Sequence, residues 1–268
     1  MNKTYASALL RKFGMLYYID FVRFYIQKRQ NASKNKLFKK KHPTVKLPPD
    51  YLMYESSRLD YDKYYFDGQD TASWLVETLE KYKPLENEKI LDWGCGSARI
   101  VRHLPALLSS CEIYATDYNK KSIEWGRANI ENVKFYENEI NPPLNFEENY
   151  FDVIYGISIL KHLSEKSHKD WMKELVRVTK QDGIILLTTQ GNMFRNLLSK
   201  AEKYRFAQGE LVIRATGKER HRVYDTFHPT IFMYNFFAKY ATILLYIPGE
   251  IKQGKLEQDL WILKKMPD

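Results

Sequence analysis

A glycine-containing turn next to a carboxylate is the pattern in this sequence best suited to binding chemistry. Ile90 and Leu91 lead into Asp92, and Gly94 and Gly96 follow on either side of Cys95. Glycine lets the backbone turn sharply and lets a ligand approach without a Cβ in the way. A plain structural turn could carry the same residues, so this motif alone leaves both interpretations open.

A second carboxylate gives the turn more weight. Asp117 ends the next apolar run, where it could accept hydrogen bonds from two ribose hydroxyls of a nucleoside. Alone, it could equally cap the helix expected to begin near Asn119. Turn and acid together predict a nucleoside-binding site. A dinucleotide is disfavoured because Arg99 stands where that fingerprint needs its third glycine.

The elements that must position these residues alternate between strand and helix. Short apolar strands are predicted over residues 89–94, 111–117, 132–136, 151–155 and 183–189, with helices over residues 98–108, 120–130 and 167–179. This alternation predicts a parallel sheet covered on both faces. A helix over residues 229–239 and strands over 242–246 and 259–263 follow a polar segment, 192–228, that is too long for an ordinary connection.

Four segments in this order resemble the class I S-adenosylmethionine-dependent methyltransferases: "ILDWGCGSARI", "IYATDYNKKSIEW", "NYFDVIYGISILKHL" and "WMKELVRVTKQDGIILLTT". The resemblance covers about residues 85–190, and "QDLWILKK" is similar to the family's terminal strand. It implies an α/β fold, a doubly wound, seven-stranded Rossmann-like sheet whose last strand is antiparallel. It also implies S-adenosyl-L-methionine as cofactor, in which case the protein has only to align acceptor, methyl and sulfur.

The resemblance implies cofactor contacts at successive strand ends. Gly94 and Gly96 would face the methionine part, Asp92 would orient its amino group, and Asp117 would hold the ribose. The whole implied set is Asp92, Gly94, Cys95, Gly96, Asp117, Tyr118, Asn138, Glu139, Tyr155, Gly156 and Ile157. Asn138 and Glu139 would lie against adenine, and residues 155–157 would flank the methionine and sulfonium. Lys161 departs from the Glu or Thr that the family often carries, so its role stays open.

Three histidines are candidates for removing a proton from an acceptor hydroxyl: His228, His162 and His221. His228 ranks first because it precedes Pro229 at a predicted helix start. An ordinary packed or surface histidine is the alternative for each. Segment 192–228 is predicted to cover the acceptor, with Arg214, Arg220 and Arg222 available to an anionic group. Residues 61–65, rich in tyrosine, could cover the cofactor or pack in the core.

The positive charge is concentrated at the start of the chain. The net charge is +9, and residues 1–46 hold twelve Lys or Arg against Asp20 alone, so the rest is near neutral. We predict a helix over residues 4–30, a basic linker over 31–46, and a methyltransferase domain over 51–268 after an arm of residues 1–50. The arm could dock on the domain, or it could contact an anionic membrane surface or a polyanionic substrate. Nucleic acid is disfavoured because no RNA-binding motif accompanies the charge.

Two cysteines, with no CxxC or Cys/His run, predict neither a disulfide framework nor a metal site. No signal peptide is recognisable, so the cytoplasm is expected, with peripheral membrane contact as an addition. Methyl transfer to a small-molecule or glycan acceptor is expected. The motif spelling together with the basic arm also resembles methyltransferases of surface-polysaccharide pathways, and this resemblance implies O-methylation in that metabolism. An RNA methyltransferase and a non-catalytic S-adenosylmethionine-binding adaptor are the alternatives.

Overall fold

A computed structural model describes residues 16–214, 224–252 and 254–267. The chain divides into two compact units, one of residues 17–138 and one built mainly from residues 139–268. Among the described residues, no helix combines the length and the apolar character needed to cross a membrane.

The central feature is a seven-stranded sheet with the strand order β3-β2-β1-β4-β5-β11-β8. Its members are β1 (Lys89–Trp93), β2 (Glu112–Asp117), β3 (Val133–Glu137), β4 (Phe151–Gly156), β5 (Thr179–Thr189), β8 (Ala241–Ile247) and β11 (Asp259–Lys265). β1 pairs in parallel with β2, β2 with β3, and β4 with β5. β11 runs antiparallel to both β5 and β8. The predicted doubly wound sheet with an antiparallel last strand is confirmed.

Buried apolar side chains explain why these segments form inner strands. Every residue of β4 is buried, and residues 184–187 of β5 form a continuous buried apolar run. Strands covered on both faces are apolar throughout rather than alternating, as these are.

The first unit holds six helical segments and β1–β3. They are α1 (Leu16–Gln30), α2 (Ala32–Lys41), α3 (Asp50–Ser57), α4 (Tyr61–Leu79), the short α5 (Leu104–Leu107) and α6 (Lys120–Asn129). Asp60 caps α4 by accepting from Lys63 N, and Asn119 caps α6 by accepting from Lys121 N and Ser122 N. Such caps satisfy backbone N–H groups that have no partner within the helix.

The second unit holds β4, β5, β8, β11 and the helices α7 (Glu165–Val178), α8 (Lys200–Ala207) and α9 (Thr230–Phe237). Buried residues of α7 recur at helical spacing, including Trp171, Met172, Leu175 and Val178. Two small antiparallel hairpins complete this unit: β6 (Val212–Arg214) with β7 (Asp225–Phe227), and β9 (Ile251–Lys252) with β10 (Lys255–Leu256).

Three sequence-based boundaries need correction. The predicted linker over residues 31–46 is mostly helix, because Asn35 and Phe38 of α2 are buried and give it a packed face. The predicted helix over residues 98–108 reduces to a 3₁₀ turn (Val101–His103) and α5, because Ala98 has a left-handed φ of 58°. Segment 192–228 contains a 3₁₀ stretch (Asn192–Leu197), α8, β6 and β7. Of the helix predicted over residues 4–30, residues 1–15 lie outside the described part.

Candidate cofactor and active site

The glycine turn is tied to the end of β2 by backbone hydrogen bonds. The N–H groups of Gly94 and Cys95 both donate to the carbonyl oxygen of Thr116, at 2.8 and 2.9 Å. The next donor, Gly96 N–H, reaches the Oδ2 of Asp117 at 2.8 Å. Gly94 and Gly96 have φ values of 80° and 53°, the left-handed region that favours glycine. The structure therefore brings the predicted turn and the predicted carboxylate into direct contact.

The space beside the turn is open at Gly96. A Cβ built on this residue meets no heavy atom within 4 Å, apart from its chain neighbours. Open space next to a turn with left-handed glycines is what a ligand lying against the backbone needs. A nucleoside cofactor therefore fits the residues found here.

Asp117 is suited to ligand binding, and its carboxylate does not serve as the N-cap of α6. Its side chain is buried, and its Oδ1 accepts from Asn119 N–H at 2.7 Å. The cap of α6 is Asn119, not Asp117, so the capping alternative is wrong. An ionised carboxylate has about four lone-pair positions. Two backbone N–H donors are therefore compatible with further acceptance from ribose hydroxyls.

Cys95 lies inside the turn but is unsuited to nucleophilic chemistry. Burial raises the pKa of its thiol well above the usual range, and the carboxylates of Asp117 and Asp92 raise it further. The neutral thiol is a poor nucleophile, because the thiolate is the reactive form. Asp92 is itself buried at the end of β1, where the resemblance places it beside the cofactor's amino group.

Tyr64 connects α4 to the turn, a contact that sequence patterns left ambiguous. It is fully buried, and its hydroxyl donates to the carbonyl oxygen of Ser97. Arg102 Nη1 donates to the same hydroxyl at 3.3 Å, and burial raises the pKa of Tyr64 to about 12. Tyr61, in contrast, donates to Asp50. Tyr64 thus supports the turn from within the core, whereas Tyr61 does not contact it through this hydrogen bond.

The remaining adenine-side candidates follow β2 and β3. The N–H of Asn138 donates to the carbonyl oxygen of Asp117 at 3.1 Å, which holds it beside the ribose candidate. Tyr118 is exposed, and so is Glu139. An exposed aromatic ring next to a buried carboxylate offers a surface on which a base could stack.

In the second unit, Tyr155 and Gly156 end β4, and Ile157 follows the strand. Tyr155 has no exposed surface and Gly156 is buried, whereas Ile157 is half-buried. Lys161 lies in the 3₁₀ turn Leu160–His162 and is half-buried. The backbone at the carboxyl end of β4, rather than the Tyr155 side chain, is what this segment offers to a ligand.

His228 is enclosed in the second unit as half of a buried histidine pair. It has no exposed surface, and its Nε2 lies 3.0 Å from the Nε2 of His168, which is equally buried. His168 Nδ1 lies 2.6 Å from the carbonyl oxygen of Ser164, which can only accept, so the hydrogen sits on that nitrogen. The Nε2 of a neutral His168 must then accept from His228. Burial, and then His168, lower the pKa of His228 well below its usual value. This placement favours a structural role.

His162 has a more accessible position. It is half-buried in the 3₁₀ turn after β4, with its Nδ1 3.0 Å from the carbonyl oxygen of Tyr224. By the same argument the hydrogen is on Nδ1, and Nε2 carries the lone pair of the neutral ring. His221, the third candidate, lies outside the described residues.

Arg214 makes its contacts within the segment of residues 192–228 and helps to hold that segment together. Its guanidinium pairs with Glu202 at 2.6 Å and lies over the Phe227 ring at 5.0 Å. The Arg214 hydrogen bond lowers the pKa of Glu202 to about 2, and Glu202 also completes a capping box with Ser199. The expectation that Arg214 meets an anionic acceptor is therefore not supported by its contacts. Arg220 and Arg222 lie outside the described residues.

Comparison with known proteins agrees with this geometry. Residues 90–183 match a family described as a methyltransferase domain. This segment of the chain is thus a methyltransferase domain with the class I fold. S-adenosyl-L-methionine is the cofactor of such a domain. The fold also resembles a Methanosarcina mazei S-adenosylmethionine-dependent methyltransferase (TM-score 0.56, 16% identity, 71% of this chain and 98% of that one). A Pyrococcus horikoshii protein gives a TM-score of 0.54 at 19% identity, with 79% and 99% of the chains covered.

The similar sequences include two O-methyltransferases. A malonyl-[acyl-carrier protein] O-methyltransferase from Bacillus anthracis is 30% identical over 141 residues, 52% of this chain and 51% of the relative. A ubiquinone biosynthesis O-methyltransferase from Pelagibacter ubique is 29% identical over 109 residues, 40% and 44% of the two chains. The chain thus spans about half the length of these relatives or less.

Proposed function

We propose that the protein transfers the methyl group of S-adenosylmethionine to an oxygen atom of a small-molecule or glycan acceptor. The observation that carries the proposal is the glycine turn whose Gly96 N–H donates to the buried carboxylate of Asp117, beside open space. O-methylation is favoured because two of the similar sequences are O-methyltransferases.

The residues of this chain would bind and orient rather than react. Asp117 would accept from the ribose hydroxyls, and Asp92 would orient the amino group of the methionine part. Gly94 and Gly96 would let that part approach the backbone. The bound cofactor supplies an electrophilic sulfonium methyl group. Alignment of the acceptor with that methyl accounts for much of the catalysis in such a reaction.

His162 is our candidate for removing the acceptor's hydroxyl proton. The Tyr224 carbonyl fixes its Nδ1–H, so the lone pair of the neutral ring is on Nε2. A general base oriented by a second group is a recurring catalytic arrangement. His228, which the sequence ranked first, is enclosed beside His168, so we assign it to packing instead.

The acceptor proposed is a glycan or small molecule of surface-polysaccharide metabolism. Support comes from the motif spelling together with a basic N-terminal arm, a combination similar to methyltransferases of those pathways. An RNA acceptor is less suited, because the residues after the arm are near neutral and offer little attraction to phosphates. A non-catalytic adaptor would not need to keep Gly94, Gly96 and Asp117 together, and all three are present.

Mass spectrometry of cells with and without the gene tests the acceptor. Extracted glycans and small metabolites should contain a species that is heavier by one methylene group only when the gene is active. Complementation with Asp117→Ala should fail to restore it, and complementation with the wild type should succeed. A methylene difference confined to RNA, or none in any fraction, would contradict the proposal.

A further inference from the structure

The outer face of α1 carries an exposed apolar stripe. Its members are spaced three or four residues apart, so they share one face of the helix, and each is between 39% and 69% exposed: Tyr18, Phe21, Val22, Tyr25 and Ile26. Exposed apolar residues scattered singly are ordinary on a protein surface, but a contiguous row marks an interaction site. We call these five residues the α1 stripe.

The opposite face of α1 is already used for packing. Phe24 packs edge-to-face against Tyr54 at a centroid distance of 5.3 Å and joins the cluster formed by Phe38, Met53 and their neighbours. Tyr54 also donates to the carbonyl oxygen of Asp20 at 3.3 Å. The helix is therefore docked by one face, as one of the sequence interpretations expected, and the α1 stripe is not needed for that docking.

The part of the chain that carries the α1 stripe is strongly basic. Residues 16–46 contain nine Lys or Arg against Asp20 alone. Lys28 pairs with Asp50 and Lys34 with Asp60. Most of the excess positive charge of residues 16–46 therefore lies on the surface outside these two ion pairs. Besides Lys28 and Lys34, the exposed cations are Arg23, Arg29, Lys36, Lys39, Lys40, Lys41 and Lys46.

We propose that α1 lies flat on an anionic lipid surface, with the α1 stripe inserted at the headgroup boundary and the lysines of α2 against the headgroups. Apolar and aromatic residues on one face with flanking cations are the two features by which interfacial helices bind. A second copy of the chain fits less well, because pairing two α1 stripes would bring two strongly basic arms together.

Vesicle sedimentation tests the proposal on the full-length protein. The probes are vesicles of phosphatidylcholine alone and vesicles with about a third phosphatidylserine, at low and at raised salt. Binding is expected to the anionic vesicles and to decrease steeply with salt, because each Lys or Arg near the surface adds attraction that ions screen. No sedimentation of the wild type with anionic vesicles at low salt would overturn the proposal.

The apolar contribution is tested by replacing Phe21, Tyr25 and Ile26 with glutamine. These side chains are exposed, so the fold should be kept, and vesicle affinity should fall by at least about tenfold. The matched control is Ile231→Gln with Tyr234→Gln, two exposed apolar residues of α9. Binding that survives in the α1 variant, or is lost equally in the control, would overturn the role of the α1 stripe.

The charged contribution is tested by replacing Lys36, Lys40 and Lys41 with glutamine. About a hundredfold loss of affinity for anionic vesicles is expected at low salt. The control replaces three exposed lysines elsewhere, Lys173, Lys200 and Lys239. Equal losses in both variants would indicate general charge attraction and overturn the proposal. The proposal would also be overturned if the wild type did not bind vesicles but formed a dimer in sedimentation velocity, and the apolar variant were monomeric.

Discussion

Asp117 and His228 are both buried polar side chains and both candidates for the site, but their surroundings suit different roles. Asp117 is held by two backbone N–H groups and stands beside a turn with open space at Gly96. His228 is held by His168 and is enclosed on all sides. Burial alone therefore does not identify a binding residue. The difference is accessibility: the open space at Gly96 lets a ligand reach the Asp117 carboxylate, whereas His228 is enclosed and stabilises the core.

Replacing His162 and His228 separately tests this comparison most directly. If His162 removes the acceptor's proton, His162→Gln should lower turnover by about 10²–10⁴-fold. His228→Gln should leave turnover within a few-fold, but lower the free energy of unfolding by about 1–3 kcal/mol, because a buried hydrogen bond is lost. The measurements are initial rates on the identified acceptor and denaturant titration.

Cofactor affinity serves as the control for both variants and should stay near the wild-type value. A large loss of turnover in His228→Gln with normal stability would reverse the assignment and restore His228 as the proton acceptor. Normal turnover in both variants would leave alignment, or His221, to explain the reaction.

The enclosed histidines also predict a pH dependence of stability. Burial and His168 keep the pKa of His228 well below 6.5, and burial together with Arg102 lowers the pKa of His103 to about 4. In the unfolded chain both titrate near 6.5, so acid protonates the unfolded state first. The stability present above pH 6.5 should therefore be lost as the pH falls toward 4, by up to about 1.4 kcal/mol per pH unit for each histidine.

Denaturant titration at several pH values from 7.5 to 5 measures how steeply the free energy of unfolding changes with pH. His228→Gln and His103→Gln should each make the slope shallower. If neither variant changes it, the two histidines do not set the acid sensitivity of this protein.

The smallest expected effect concerns the glycine turn itself. Gly96 has a φ of 53°, so Gly96→Ala should destabilise the fold by about 1–2 kcal/mol, although nothing nearby obstructs the methyl group. The added methyl would occupy the open space and should weaken cofactor binding. The matched control is Gly254→Ala, another glycine with a left-handed φ and open space, which should cost similar stability and leave cofactor affinity intact.

The parts predictable from sequence are those in which one local rule decides the structure. The inner strands are largely apolar, and the turn needs glycine, so β1, β2, β4 and the positions of the turn and Asp117 at strand ends follow from the sequence pattern. The antiparallel β11 followed from the family resemblance. These features position the cofactor candidates at the strand ends.

The parts that sequence could not provide depend on distant partners. The helical state of residues 32–41 depends on Asn35, whose amide bonds to the Leu59 carbonyl. The enclosure of His228 depends on His168, sixty residues earlier in the chain. Arg214 is neutralised by Glu202 from a neighbouring helix. No periodicity reports such pairings, so acceptor-side assignments from sequence were the least secure.

The most direct test of the account is calorimetric titration with S-adenosylmethionine and its demethylated product. The wild type should bind both, and Asp117→Ala should lose about ten- to a hundredfold in affinity, because hydrogen bonds to a charged acceptor disappear. Asp259→Asn is the matched control, since Asp259 is also buried and accepts a backbone N–H, from Gly249. It should bind the cofactor like the wild type. No binding by the wild type, or equal binding by Asp117→Ala, would contradict the account.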